Sequence, residues 1–133
     1  DSVSTAARIE SKCKEYGCVL LVGDATYQQT KSDFFYLKID DLAVKGKSVG
    51  IGIWTVLDKR RPAWRVAQRK HEEMHEFYRA QKFDKAIASC KLLQNHFDGK
   101  MSGYYDMWIE RCEFQKTQNL PTDWNGVFIA TTK

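Results

Sequence analysis

Two short segments of the chain carry side chains suited to holding phosphate groups. Ser4 and Arg8 lie four residues apart, so a helix would place the hydroxyl and the guanidinium on one face. Lys45 and Lys47 flank Gly46 in a sequence typical of a tight turn. The planar, permanently charged fork of an arginine matches phosphate oxygens, and a lysine adds a positive point charge. Such residues are more often simply solvated, so the surrounding elements decide the interpretation.

The hydrophobic pattern predicts the elements that would position these side chains. Residues 2–16 have an apolar stripe at helical spacing, and residues 19–22 form a continuous apolar run typical of a buried strand. A short helix should begin after Asp24, a good N-cap residue, and end near Lys31. Alternating apolar and polar residues predict a strand on each side of the lysine-containing turn. Residues 1–57 therefore predict a helix, a strand, a short helix and a β-hairpin.

Residues 58–133 have a different pattern. A charged stretch is followed by apolar residues at helical spacing, which predicts three helices and then a short strand. The expected helices cover residues 63–80, 83–97 and 102–116, and the strand lies near residues 127–129. We therefore expect an α+β protein with two domains, residues 1–57 and residues 58–133.

The net charge of +4 lies in the second of these domains, because acidic and basic side chains balance in the first. Much of the excess falls in one cluster: Lys59, Arg60, Arg61, Arg65, Arg69 and Lys70. A basic cluster can contact nucleic acid or a membrane surface, but this one lacks the interleaved aromatic residues of a single-strand binder. We expect a solvated linker and helix start, with no nucleic-acid partner.

The four cysteines match neither a zinc pattern nor a dense disulfide framework. They are Cys13, Cys18, Cys90 and Cys112. We expect all four to be reduced, as in the cytosol. No apolar run approaches the roughly 18–20 residues that span a bilayer, and no signal peptide is visible. The chain does not begin with Met, so we expect a cytoplasmic fragment of a longer protein.

The sequence His-Glu-Glu-Met-His at 71–75 matches the His-Glu-x-x-His motif of zinc hydrolases. On a helix both histidines would share a face, and Glu72 would act as the base. The motif needs a third ligand, however, and the remaining histidine, His96, follows a turn and a second helix. We therefore expect a solvated helix face, with a zinc hydrolase as an alternative that bound metal would reveal.

Together, the two phosphate-binding segments resemble the second half of a class III nucleotide cyclase catalytic domain. The family pattern is Asp, small, Val, Asn, any, Ala, small, Arg, and this chain matches it at Asp1, Val3, Ala6, Ala7 and Arg8. Further matches at residues 15–17, 19–24 and 44–48 follow in the family's order. The resemblance covers essentially all of residues 1–57, and it implies part of a ferredoxin-like cyclase sheet with its helices.

The second domain carries two weaker resemblances. Residues 77–93 resemble a tetratricopeptide repeat, although one repeat and a half is too few for an independent solenoid. Residues 123–128 resemble the C-terminal extension of certain bacterial membrane-anchored adenylate cyclases. These resemblances imply a three-helix tetratricopeptide-like tail, and a parent protein anchored in the bacterial inner membrane through upstream parts.

The cyclase resemblance implies a role for each candidate residue. Arg8 is the transition-state arginine, Lys45 binds the terminal phosphates, and Lys47 is a further substrate-binding candidate. Ser4 stands where the family usually has Asn, and its shorter side chain cannot reach the same oxygen. Losing one oriented donor lowers activity by roughly a hundredfold.

The implied reaction converts ATP to cyclic AMP and pyrophosphate in a homodimer. Mg²⁺ or Mn²⁺ would be held by carboxylates upstream of this chain, contributed by one subunit, while the arginine and lysine come from the other. The isolated fragment would then be inactive. The alternative is a non-catalytic regulatory or dimerisation module of a degenerate cyclase, in which the upstream carboxylates are absent.

Overall fold

The computed structural model describes residues 21–43, 50–57 and 62–127. These residues form a three-stranded antiparallel sheet with one short helix, and a separate group of three helices, in agreement with the predicted α+β class. The chain divides into a sheet unit, residues 1–60 with 127–133, and a helical unit, residues 61–126. The predicted helix over residues 2–16 lies outside the described residues, as does nearly all of the predicted strand near 127–129.

The sheet consists of β1 (Val22–Gly23), β2 (Phe35–Ala43) and β3 (Gly50–Leu57), in the order β1-β3-β2. Both neighbouring pairs are antiparallel, and Trp54 at the centre of β3 pairs with Val22 on one side. β2 and β3 are the two strands that the alternating pattern predicts, and they pair as a hairpin. The apolar side chains Leu37, Ile39 and Ile53 are almost completely buried and form the core of this unit.

A β-bulge in β2 changes the faces on which its side chains lie. Lys38 pairs with Trp54, but Asp40 already pairs with the next residue of β3, Ile53, so Ile39 is an extra residue. A strict alternation from Phe35 would place Asp40 on the polar face with Lys38, and the bulge moves it to the buried face, where it is 2% exposed. Its carboxylate accepts a hydrogen bond from the following backbone N–H at 2.8 Å. The bulge therefore buries a carboxylate that the pattern assigned to solvent.

The short helix α1 (Asp24–Thr30) packs against β1 and β3, where Tyr27 stacks on Trp54. It begins one residue earlier than expected, because Gly23 occupies the N-cap position and makes no side-chain capping bond. The prediction of Asp24 as N-cap is therefore wrong. Asp24 lies instead in the first turn, where a negative charge interacts favourably with the helix dipole.

The helical unit consists of α2 (Pro62–Arg79), α3 (Phe83–Leu93) and α4 (Ser102–Lys116). α2 packs against α3 and α3 packs against α4. α3 ends four residues earlier than predicted and is followed by a 3-10 turn at Phe97–Gly99. Phe97 has a φ of 56°, and its buried ring lies 5.6 Å from that of Trp64. Burial of this ring in the core requires a turn at the position where the apolar pattern continued the helix.

The segment after α4 folds back onto the corner between α2 and α3. The ring of Trp124 lies 5.0 Å from Tyr78 and 5.9 Å from Phe83, in edge-to-face contacts. Gln81 Nε2 donates a hydrogen bond to the carbonyl oxygen of Pro121 at 2.8 Å. Gly126 has a φ of 80°, and a Cβ there would lie 2.5 Å from Arg79 Cγ. Residues 121–126 are therefore pinned at three points, and we call them the tail strap.

Candidate functional site

The candidate catalytic and phosphate-binding residues all lie outside the described residues. These are Ser4, Arg8, Lys45 and Lys47. The structure describes the strands that flank the two lysines: Ala43, the last residue of β2, pairs directly with Gly50, the first residue of β3. The roles of the four residues therefore remain predictions. The lysine segment lies between the two paired strands of the β2–β3 hairpin.

Trp54 lies in β3 of this hairpin. Its ring stacks on Tyr27 of α1, with centroids 4.0 Å apart and planes 2° from parallel. On the same face, Lys38 Nζ lies 5.5 Å from the Trp54 ring centroid and 3.0 Å from Asp41 Oδ1. A Cβ on Gly52 would lie 2.6 Å from the far edge of the indole, so the ring covers the glycine closely. These contacts fix the hairpin against α1 near its open end.

Replacing Gly52 with alanine tests how closely the Trp54 ring packs over the hairpin. The new methyl group would overlap the Trp54 ring, so we expect a loss of about 1–3 kcal/mol in the free energy of unfolding, measured by urea denaturation. Gly103 is the matched control, because an added Cβ there meets nothing within 4 Å and alanine favours a helix. Equal stability of the Gly52→Ala variant and the unchanged chain would contradict the close packing of the indole.

A second cluster of chemically capable side chains lies between α2 and α4. His71 Nδ1 and the Tyr105 hydroxyl form a hydrogen bond at 2.8 Å, and His75 Nε2 and the Tyr104 hydroxyl form one at 3.2 Å. His71 is fully buried and His75 is 6% exposed. The two histidine rings lie 4.5 Å apart. We call these four residues the histidine–tyrosine seam.

The seam corrects the interpretation of the His-Glu-x-x-His motif. The solvated helix face that we expected is wrong, because both histidines are in the core and only Glu72 and Glu73 are exposed. The described residues give the zinc alternative no support either, because His71 Nδ1 and His75 Nε2 each share a hydrogen bond with a tyrosine hydroxyl. Across residues 21–43, 50–57 and 62–127, no group of three or more His, Cys, Asp or Glu side chains is arranged to hold a metal ion.

The sequence did contain a signal for this seam. Residues 71, 74, 75 and 78 follow helical spacing, so both histidines share a face with the apolar Met74 and with Tyr78. Histidine and tyrosine are intermediate in burial, and a buried polar group needs a hydrogen-bond partner. Tyr104 and Tyr105, adjacent on another predicted helix, are partners of the required kind.

More polar side chains continue the same interface. Gln115 Nε2 donates a hydrogen bond to the Tyr78 hydroxyl at 3.3 Å. The guanidinium of Arg111, 6% exposed, lies 4.7 Å from the ring of Trp108. The Trp108 ring also lies 4.6 Å from Tyr78, while its buried Nε1 has no hydrogen-bond partner among the described residues. Polar and aromatic side chains of α2 and α4 therefore contact one another across this interface.

The described cysteines are structural. Cys90 and Cys112 are free and fully buried, as the sequence predicts for small apolar helix positions. Burial raises the pKa of the Cys112 thiol to about 12, and burial also raises the pKa of Cys90, with a smaller contribution from the neighbouring Cys112. Both groups are therefore protonated thiols at neutral pH and are poor nucleophiles. Cys13 and Cys18 lie outside the described residues.

Comparison with known proteins gives one similarity. The chain is 30% identical over 99 residues to the terminal-differentiation-specific adenylate cyclase of Dictyostelium discoideum. The match covers 69% of this chain but only 5% of that protein. No protein-family model and no solved structure matches. The similarity supports a relation to adenylate cyclases.

The extent of this match bears on the helical unit. Any continuous stretch that covers 69% of the chain must include its central part, and therefore both β3 and α2. The relation to the adenylate cyclase is thus not confined to the segment that carries the cyclase motifs. No helix within the described residues is long and apolar enough to cross a membrane.

Proposed function

We propose that this chain is a segment of an adenylate cyclase that converts ATP to 3′,5′-cyclic AMP and pyrophosphate. The observation that carries the proposal is the similarity to a known adenylate cyclase over most of the chain. The antiparallel β2–β3 hairpin also agrees with the element order that the motif resemblance requires.

The chemistry assigns a distinct task to each candidate residue. The ribose 3′-oxygen loses its proton and attacks the α-phosphorus, and the bond to pyrophosphate breaks. Negative charge grows on the phosphate oxygens during this exchange, and fixed donors lower its energy. In our proposal Arg8 and Ser4 face the α-phosphate, while Lys45 and Lys47 hold the leaving pyrophosphate.

The proposed site is completed by a second copy and by residues outside this chain. Mg²⁺ or Mn²⁺ would supply charge neutralisation at the phosphates, and its carboxylate ligands are expected upstream. The helical unit is proposed as a tetratricopeptide-like extension of the catalytic domain. Attachment to a membrane would come only through other parts of the parent protein.

The test measures cyclic AMP and cyclic GMP made by the longer parent protein from ATP or GTP with manganese. We expect cyclic AMP from ATP and a specific activity that rises with protein concentration until the dimer is saturated. Production of cyclic GMP alone would make the parent a guanylate cyclase. A folded dimer that turns over neither nucleotide would reject the proposal in favour of a regulatory module.

A further inference from the structure

The exposed side of α2 carries a regular seam of its own. Its members follow one another at spacings of three and four residues, which places them on a single line along the helix. They are Ala63, Val66, Lys70, Glu73, Phe77 and Ala80. Phe77 is half-buried and the others are exposed, including Val66 at 60%. Ala80 lies just beyond α2, and its N–H still bonds to Glu76 as in a helix. We call these six residues the α2 seam.

Charge is divided along the same side of the helix. Arg69 and Lys70 lie in the N-terminal half, whereas Glu73 and Glu76 lie in the C-terminal half. A cation that precedes its anion is the weaker order for an intrahelical pair. In the part of the chain that the structure describes, none of these four side chains forms an ion pair. These four charges therefore add little to the stability of α2 itself.

The α2 seam is complementary to an inverted copy of itself. If two α2 helices cross antiparallel about a twofold axis between positions 71 and 72, Val66 meets Phe77 of the second copy. Lys70 then meets Glu73 of the second copy, and the small Ala63 meets Ala80. A parallel pair would instead place lysine against lysine and glutamate against glutamate. Both the apolar and the charged positions therefore favour the antiparallel arrangement.

We propose that α2 is a docking helix that pairs antiparallel with α2 of a second copy of this chain. Charge complementarity identifies the partner. The basic half of α2 needs an acidic surface, and the acidic half of α2 in a second copy has the right length and spacing. One helix face buries less than the roughly 800 Å² per partner of a standard interface, so the contact is weak alone. In a protein that also dimerises elsewhere, the two α2 helices are already held near each other. The α2 contact is then intramolecular and is favoured by a high effective concentration. It does not depend on the proposed cyclase activity.

A charge-swap experiment on the chain tests this pairing by analytical ultracentrifugation. In the variant Arg69→Glu/Lys70→Glu the exposed side of α2 becomes acidic. In the variant Glu73→Lys/Glu76→Lys it becomes basic. Each alone should raise the dissociation constant of the homodimer about tenfold or more, because like charges then face each other. An equimolar mixture of the two should restore association, and so should the chain with all four changes.

The matched control is Lys91→Glu/Lys100→Glu, which makes the same change in net charge as Arg69→Glu/Lys70→Glu at two exposed positions outside α2. It should leave the dissociation constant within about twofold, since distant exposed charges are screened. A monomeric chain at all concentrations would overturn the proposal. So would a charge-reversed variant that associates like the unchanged chain, or a mixture that fails to associate. None of these results bears on cyclic AMP production, so the two proposals fail separately.

Discussion

Replacing Arg8 with alanine is expected to lower cyclic AMP production by the parent protein about a hundredfold or more. Arg8 is proposed to donate to the phosphate oxygens where charge develops in the transition state, and removing one such donor typically costs a factor of 10²–10³. Because the interaction strengthens in the transition state, kcat should fall more than KM rises. The measurement is steady-state production of cyclic AMP from ATP with manganese.

Two further variants sharpen this result. Lys31→Ala removes an exposed cation of the sheet unit and should leave kcat unchanged, which controls for loss of charge. Ser4→Asn introduces the side chain that the cyclase family usually has, and it should raise kcat if the hydroxyl is the weaker ligand. Full activity in the Arg8→Ala variant would remove that residue from the site and would leave the proposed reaction without its main cation.

Replacing His71 with alanine is expected to destabilise the helical unit by about 3 kcal/mol. The change removes a fully buried ring and leaves a cavity. It also leaves the buried Tyr105 hydroxyl without the hydrogen bond of 2.8 Å that it shares with His71. The loss should appear in urea denaturation followed by tryptophan fluorescence, since Trp64, Trp108 and Trp124 all lie in this unit.

The neighbouring Glu72 provides the matched control for this prediction. It belongs to the same motif but is exposed, so Glu72→Ala should change the stability by less than about 0.5 kcal/mol. A double-mutant cycle with Tyr105→Phe should show coupling, because the two side chains share one hydrogen bond. Unchanged stability of the His71→Ala chain would contradict the histidine–tyrosine seam. So would additive effects of His71→Ala and Tyr105→Phe.

The sequence predicted most of the described elements because they follow simple periods. α2 runs over Pro62–Arg79 against a predicted 63–80, and α4 has the predicted limits. The errors arose where a single side chain departs from the period. The bulge at Ile39 shifts one residue of β2, and the ring of Phe97 ends α3 by entering the core. Neither event leaves a mark in a hydrophobic pattern, since both depend on contacts between distant segments.

The candidate sites show the same limit more clearly. The phosphate-binding residues were predicted from local motifs, and the comparison with known proteins supports the class of protein but not the individual roles. The histidine–tyrosine seam was missed because its partners lie on different helices, and histidine was treated as a polar surface residue. Burial changes the interpretation of both histidines. Their spacing suggested a metal site, but in the structure they are core residues.

The tail strap has a consequence for the order of events during synthesis. Tyr78 and Phe83 leave the ribosome well before Trp124, whose ring contacts both of them in the finished protein. Domains generally fold as units as they are made, at about 5–20 residues per second. The corner between α2 and α3 must therefore wait for seconds before the last residues of its own unit arrive, and a nascent chain stalled before Trp124 would present these two aromatic rings to chaperones.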